Sequence, residues 1–220
     1  MSNYNLDYII NFNSFIKNVS YYEEVCSTND VAKEILKKPN FPINNFLILS
    51  DCQTNGRGKG NAYYFSPAKV GIYMSIVLIK PHCDLKLISI ATSLAILKSI
   101  QAFVTSGVKI KWPNDILINN KKVCGILIEA SVQQKSLDAK NIIIGIGINI
   151  NNDNFDPGIK NIATSLKKEC GKIIDRNLVV VQILNSLKAL LSKDSKGLLN
   201  EYLVNLEEKS LCKMSQCNVF

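Results

Sequence analysis

Val108-Lys109-Ile110-Lys111-Trp112-Pro113-Asn114-Asp115-Ile116-Leu117-Ile118-Asn119-Asn120-Lys121-Lys122-Val123-Cys124-Gly125-Ile126-Leu127-Ile128-Glu129 is the stretch on which the fold turns. Its apolar runs are too short for helices and are rich in Ile and Val, so Val108 to Trp112, Ile116 to Ile118 and Val123 to Glu129 read as strands. Pro113 has no N–H and disfavours helix at the residue before it, so the chain must turn there. Asn119-Asn120-Lys121 reads as a hairpin turn, because Asn tolerates positive φ. Asn141 to Ile150 supplies a further strand after this group.

Working outward, Phe46 to Ser50 and Gly71 to Ile79 read as strands, and Leu85 to Phe103 carries a broad apolar stripe at helical spacing. Val31, Ala32, Ile35 and Leu36 form a shorter amphipathic segment that stops near Pro39. Ser27-Thr28-Asn29-Asp30 precedes it and predicts a helix start capped by a hydroxyl or amide. Leu178 to Leu191 and Leu198 to Leu206 read as two later helices. Helices mixed with hairpin-linked strands indicate an α+β fold, a mixed sheet covered by helices on one face. Residues 1–19 read as a leader, 20–210 as one domain and 211–220 as a tail.

The 220 residues suffice for one domain with a sizeable core. No stretch reaches the ~20 apolar residues of a membrane span, and the N-terminus lacks the pattern of a signal peptide. A cytoplasmic location is expected. Seven cysteines without a CxxC pair fit reduced thiols, and one histidine, His82, argues against a zinc site. The net charge of +8 suits acidic partners, but no DNA- or RNA-binding signature accompanies it.

Three stretches carry chemistry. Gln53-Thr54-Asn55-Gly56-Arg57-Gly58-Lys59-Gly60-Asn61 sets two cations among glycines. It is either a solvated turn or a lid that closes backbone N–H groups and cations over an anion; alone it does not decide. Lys111-Trp112-Pro113-Asn114-Asp115 gathers a cation, an amide and a carboxylate at a turn, which is either a plain ion pair or a ligand or Mg²⁺ site. Gly125 inside a strand marks close approach of a ligand or of another backbone, and Lys122 stands where that strand begins. Gly145-Ile146-Gly147-Ile148-Asn149 lacks the third glycine and following helix of a dinucleotide fold. It suits a flat backbone floor under a planar ligand, with Asn149 as donor and acceptor.

In this order, Gln53…Gly56-Arg57-Gly58-Lys59, Lys111-Trp112-Pro113-Asn114-Asp115, Lys122-Val123-Cys124-Gly125-Ile126-Leu127 and Gly145-Ile146-Gly147-Ile148-Asn149 resemble biotin protein ligase. Ser27-Thr28-Asn29 fits the same pattern upstream. The resemblance implies a class II aminoacyl-tRNA-synthetase-like catalytic domain. It implies that biotin and ATP yield biotinyl-5′-AMP, with Mg²⁺, and that a lysine of a biotin carboxyl carrier protein, by default the acetyl-CoA carboxylase subunit, receives the biotin. It assigns biotin to Ser27, Thr28, Asn29 and Gln53, to the loop residues Gly56, Arg57, Gly58 and Lys59, and to Lys122 and Gly125. It assigns ATP to Arg57, Lys59, Tyr64, Lys111, Asn114 and Asn149, and the metal to Asp115. Lys122, Arg57 and Lys111 are the expected catalytic cations.

The family loop usually reads Gly-Arg-Gly-Arg-x-Gly-Arg-x-Trp. Here Lys59, Asn61, Ala62 and Tyr64 replace its second arginine, third glycine, third arginine and tryptophan. The chain is expected to lack the family's small C-terminal β-barrel and any DNA-binding domain, and a homodimer is compatible with the resemblance. Lipoate ligation and non-catalytic binding of biotin or adenylate remain the alternatives, with a nucleic-acid module behind them. No membrane partner is expected.

Overall fold

Isoleucine alternates with smaller residues along the centre of the sheet, and the two sides of that alternation build two different faces. In a computed structural model that describes residues 4–132 and 140–216, seven strands form one sheet in the order β1-β2-β3-β7-β6-β5-β4. They are β1 (Asn18–Val25), β2 (Phe46–Gln53), β3 (Gly71–Leu78), β4 (Val108–Lys111), β5 (Asp115–Ile118), β6 (Lys121–Val132) and β7 (Lys140–Asn149). Only β1 and β2 pair in parallel; all other neighbours are antiparallel, so the sheet is mixed as expected. Asn119 and Asn120 take φ of 49° and 64°, the positive pair that a two-residue β5–β6 hairpin demands.

Along β7, Ile142, Ile144, Ile146 and Ile148 join the main core. On that side lie α1 (Leu6–Phe12), α3 (Leu85–Gln101), α5 (Arg176–Leu191) and α6 (Ser195–Val204). Helix α3 is buried around its circumference, because the sheet covers one side and α5 and α6 cover the other. The opposite face was expected bare, but α2 (Thr28–Lys37) packs there on Phe46, Ile48, Val77 and Ile143. This smaller helix covers part of the face and leaves room beside it. Short α4 (Leu166–Cys170) and α7 (Glu208–Gln216) complete the elements.

Both expected termini need correction. The supposed leader is part of the core: Ile9 and Ile16 are fully buried, and Asn5 donates its backbone N–H to Asn177 Oδ1 of α5 at 2.8 Å. Asn13 explains the turn that follows α1, because its Oδ1 accepts from Phe15 N–H at 2.9 Å and Ile16 N–H at 2.6 Å. The Tyr4 ring lies 4.3 Å from the Arg176 guanidinium carbon. Strand β1 was missed because it is a polar edge strand with half-exposed side chains and no apolar alternation. The expected boundary of the tail at residue 211 falls inside a helix, since α7 runs from Glu208 to Gln216 and buries Met214, while residues 217–220 lie outside the described residues.

Candidate active site

Where an apolar side chain would ordinarily fill the α2 face of the sheet, β7 has Gly145 and Gly147 and β6 has Gly125. The register pairs Gly125 with Gly147 and Leu127 with Gly145, so these positions share one face. The space they leave is a cavity of about 250 Å³ bounded by the start of α2, the loop after β2, and strands β6 and β7. A Cβ on Gly145 would strike the Asn29 side chain, and one on Gly147 would strike the Tyr64 ring. These two glycines therefore allow a close approach that no other residue permits.

The polar end of the cavity is a closed hydrogen-bond network. Gln53 Oε1 accepts from Thr28 N–H at 2.9 Å and from Thr28 Oγ1 at 3.2 Å, while Gln53 Nε2 donates to Ser66 Oγ at 3.1 Å. Ser75 Oγ lies 2.8 Å from Thr28 Oγ1 and 2.6 Å from Asn29 Oδ1, so one hydroxyl proton is shared between two acceptors. Asn29 Nδ2 donates to Glu129 Oε2 at 2.7 Å. Ser27 occupies the N-cap position of α2 and lines the cavity, but its side chain makes no capping hydrogen bond. Capping is instead carried by Gln53 from β2, a tertiary substitute for the expected local hydroxyl.

The glycine-rich loop is a small hairpin. Gly58 N–H donates to Ala62 O at 2.6 Å, Tyr64 N–H donates to Gly56 O at 2.8 Å, and Gly60 turns with φ 65°. Gly56 itself stands behind the cavity wall, packed on Tyr64 and Ser66, whereas Arg57, Gly58 and Lys59 line the cavity. Arg57 Nη2 is ion-paired with Asp30 and lies 3.8 Å from Glu129 Oε2. Its Nε is buried and has no hydrogen-bond partner among the described residues. Burial opposes the Glu129 charge, but hydrogen bonds from Lys33 and Asn29 and the nearby cations outweigh it, so its carboxyl is held below the ordinary value. Tyr64 lays its ring on the floor beside Gly125 and Gly147, with Lys122 Nζ 5.8 Å from its centroid. Burial pushes its phenol well above the usual value and keeps it neutral.

Lys122 is aimed by backbone. The β5–β6 register shifts between Ile116 and Leu117, so Leu117 faces Lys122 while Ile116 faces Cys124. Such bulges re-aim a side chain beside a site. The segment after β7 locks the result: Lys122 N–H donates to Ile162 O at 2.8 Å, and Thr164 N–H donates to Lys122 O at 2.9 Å. Lys122 Nζ then sits 2.7 Å from Asp115 Oδ1. This is a charge contact without hydrogen-bond alignment, since Oδ1 has no geometrically valid hydrogen bond. Asn114 lines the cavity too, but its Nδ2 is engaged by Ile126 O at 2.9 Å.

Two expected ATP contacts do not converge here. Lys111 is exposed on the outer face of β4 and lines a neighbouring groove instead. It stands directly opposite Asp115 in the β4–β5 register and shares that residue's face of the sheet, but on the edge strand, further from the glycine floor. Asn149 is buried, lies outside the cavity lining and donates one Nδ2 proton to Thr164 O at 3.0 Å, which fixes its amide away from the cavity. The Mg²⁺ role of Asp115 is also not supported by its surroundings. It is the one carboxylate lining the cavity and faces Lys122, and no group of three metal-ligating side chains occurs among the described residues. A Mg²⁺ ion would have to arrive largely coordinated by nucleotide phosphates. Asp30, Lys33, Ser75 and Glu129 were missed, because their roles arise only when α2 is docked on the sheet.

The same architecture occurs in known proteins. The biotin protein ligase from Aquifex aeolicus, solved in complex with biotin and ATP, superposes with a TM-score of 0.74 at 27% identity, over 87% of this chain and 79% of that one. The fold is thus that of a biotin protein ligase catalytic domain. Residues 21–149 match the biotin/lipoate A/B protein ligase family, and the chain belongs to that family. The bifunctional ligase/repressor BirA of Bacillus spizizenii is 38% identical over 168 residues, covering 74% of this chain and 50% of that protein. The biotin–[acetyl-CoA-carboxylase] ligase of Mycobacterium tuberculosis is 29% identical over 155 residues, covering 67% and 54%. The chain spans about half the length of the curated relatives it matches.

Proposed function

We propose that the chain activates biotin with ATP and passes it to a lysine of a biotin carboxyl carrier protein. The observation that carries this reading is the cavity itself: a glycine floor beside a polar Thr28–Asn29–Gln53 network, with Arg57 and Lys122 among its lining residues. The floor and Tyr64 suit a flat ring system, while the network suits a neutral, hydrogen-bonding head such as a cyclic urea. The cations suit a carboxylate and a phosphate brought face to face.

In the first step a carboxylate oxygen of biotin attacks the α-phosphorus of ATP, and the bond to pyrophosphate breaks. Two anions meet, so fixed positive charge supplies most of the rate. Lys122 is the proposed central cation: its direction is set by the β-bulge and by Asp115, so little reorganisation is needed as charge builds. Arg57 lines the cavity and is held through Nη2 by Asp30, so its charge is fixed beside the space an incoming anion would fill. Mg²⁺, arriving with the nucleotide, would add charge neutralisation at the phosphates. In the second step an acceptor lysine amine attacks the acyl carbon of the mixed anhydride, and AMP leaves.

Biotin-dependent exchange of pyrophosphate into ATP tests this reading, with lipoate in a parallel arm. Exchange with biotin, lost in Lys122→Ala, is the expected result. Exchange with lipoate alone would reassign the substrate, and no exchange with either would leave a binder rather than an enzyme. The same reading puts the reaction in the cytoplasm, in keeping with the free thiols of Cys26, Cys52, Cys83, Cys124 and Cys170.

A further inference from the structure

Lys59 connects the cavity to a second, larger groove. It lines the cavity, yet its Nζ lies 6.0 Å from the centroid of the Trp112 ring, which lines a groove of about 730 Å³. One wall of that groove is edge strand β4, which turns Val108 and Ile110 to the core and presents Lys109 and Lys111 outward. The free backbone edge of β4 is taken by the chain between α6 and α7. Ile110 N–H donates to Asn205 O at 2.9 Å, Glu207 N–H donates to Ile110 O at 2.8 Å, and Trp112 N–H donates to Ser210 Oγ at 3.0 Å. This crossing sets the start of α7 beside β4, and with it Lys209 and Lys213, which at i,i+4 spacing share one helix face.

Among the described residues, none of Lys59, Lys109, Lys111, Lys209 and Lys213 makes an ion pair. Glu207 and Glu208 are the acids of the groove, and the Glu207 carboxylate accepts from Ser210 Oγ at 3.4 Å. Four lysines against these two glutamates leave the groove net positive, and an arriving anionic surface relieves the repulsion among the lysines.

The arrangement selects among anions. A single phosphate is gripped by convergent or bidentate donors, and the groove contains no arginine fork. Its lysines are instead spread about 6–7 Å apart along a strand and along one helix turn, which matches separate carboxylates on a folded surface. Half-buried Trp112 between them offers the flat aromatic area that protein interfaces use as an anchor. A protein is also what the second half-reaction needs at this side of the cavity. We propose that this groove docks an acidic face of the acceptor protein, an assignment that rests on the acyl-transfer reading above.

The test is the triple charge reversal Lys109→Glu, Lys209→Glu and Lys213→Glu in the full chain, with a biotin carboxyl carrier domain as probe. Direct binding of the carrier is measured by anisotropy alongside pyrophosphate exchange, so the docking result does not depend on turnover. Carrier affinity should fall at least about tenfold with exchange unchanged, and wild-type binding should weaken between about 50 and 300 mM salt while the variant stays flat. Unchanged carrier affinity overturns the proposal. So does a raised KM for ATP at unchanged carrier affinity, which would give the groove to nucleotide phosphates. Loss of exchange in the wild type with carrier binding intact would remove the catalytic reading and leave the docking surface standing.

Discussion

Lys122 and Asp115 face each other across the β5–β6 hairpin, with 2.7 Å between ammonium and carboxylate inside the cavity wall. The pair separates two roles, since one member supplies charge to the reaction and the other aims it. Lys122→Ala should lower biotin adenylation by about 10²–10³-fold, the usual cost of removing one transition-state charge donor. Asp115→Asn keeps the shape and removes the aim, so its loss should be about tenfold or less and should appear in kcat rather than in the KM for biotin. Equal losses in the two variants would assign Asp115 a direct part in the chemistry.

Gly147 has no room for a methyl group while Tyr64 lies on it. Gly147→Ala should therefore displace the ring and cost about 1–3 kcal/mol by overpacking. Biotin binding should be lost more completely than stability, since the ring and the floor are both cavity surfaces. Calorimetric titration beside a thermal melt checks this; normal binding with a lowered Tm would make the glycine a folding requirement only.

Asp51 and Arg176 form a buried pair at 2.8 Å, with Tyr21 donating to the second Asp51 oxygen at 2.8 Å. Their side chains are 2% and 3% exposed, so removing one leaves the other charged in the core. Asp51→Ala should cost about 3–5 kcal/mol in urea unfolding. The Tyr21 phenol, raised to about 12 by burial and by Asp51, stays protonated and available as a donor throughout. A loss under about 1 kcal/mol would show that water reaches the pair.

Much of this was legible in the chain. The alternation Ile142–Ile148 with Gly145 and Gly147 between the isoleucines encodes a greasy face and a bare one at once, and period-2 reasoning reads both. Asn119-Asn120 likewise declared its turn. What stayed hidden depends on contacts far apart in sequence. Asn177, 172 residues away, fastens Asn5, and Ile162 and Thr164 orient Lys122. Lys111 and Asn149 sat in the right motifs, yet the one stands on the edge strand beside a neighbouring groove and the other is engaged by the Thr164 carbonyl, placements that no motif shows.

Glu129 joins α2 to the sheet through Lys33 at 2.7 Å and Asn29 at 2.7 Å. Its folded-state carboxyl titrates below the ordinary value, so the folded state binds fewer protons than the unfolded state in that range. The stabilisation is present above the unfolded carboxylate pKa, about 4.3, and is lost as pH falls through the lower folded value. Denaturant midpoints should drop from about pH 5.5 to pH 3.5 more steeply in the wild type than in Glu129→Gln. Parallel slopes would show that this carboxylate does not couple the helix to the sheet.

Lys59 is the departure in the loop with the most direct chemical consequence. It is exposed, lines the cavity, and rests near the Trp112 ring rather than in an ion pair with any described carboxylate. An ammonium is a point charge on a flexible stem, whereas a guanidinium holds phosphate through two parallel hydrogen bonds. A loop with lysine here should release biotinyl-adenylate sooner once it has formed. Lys59→Arg should then cut free adenylate in the absence of carrier by about threefold to tenfold, with little change in the rate of its formation. The effect belongs to retention and not to chemistry, because Lys122 and Arg57 remain in place. Chromatographic quantification of free against bound adenylate after a single turnover reads it directly, and equal release from the two proteins would sink the idea.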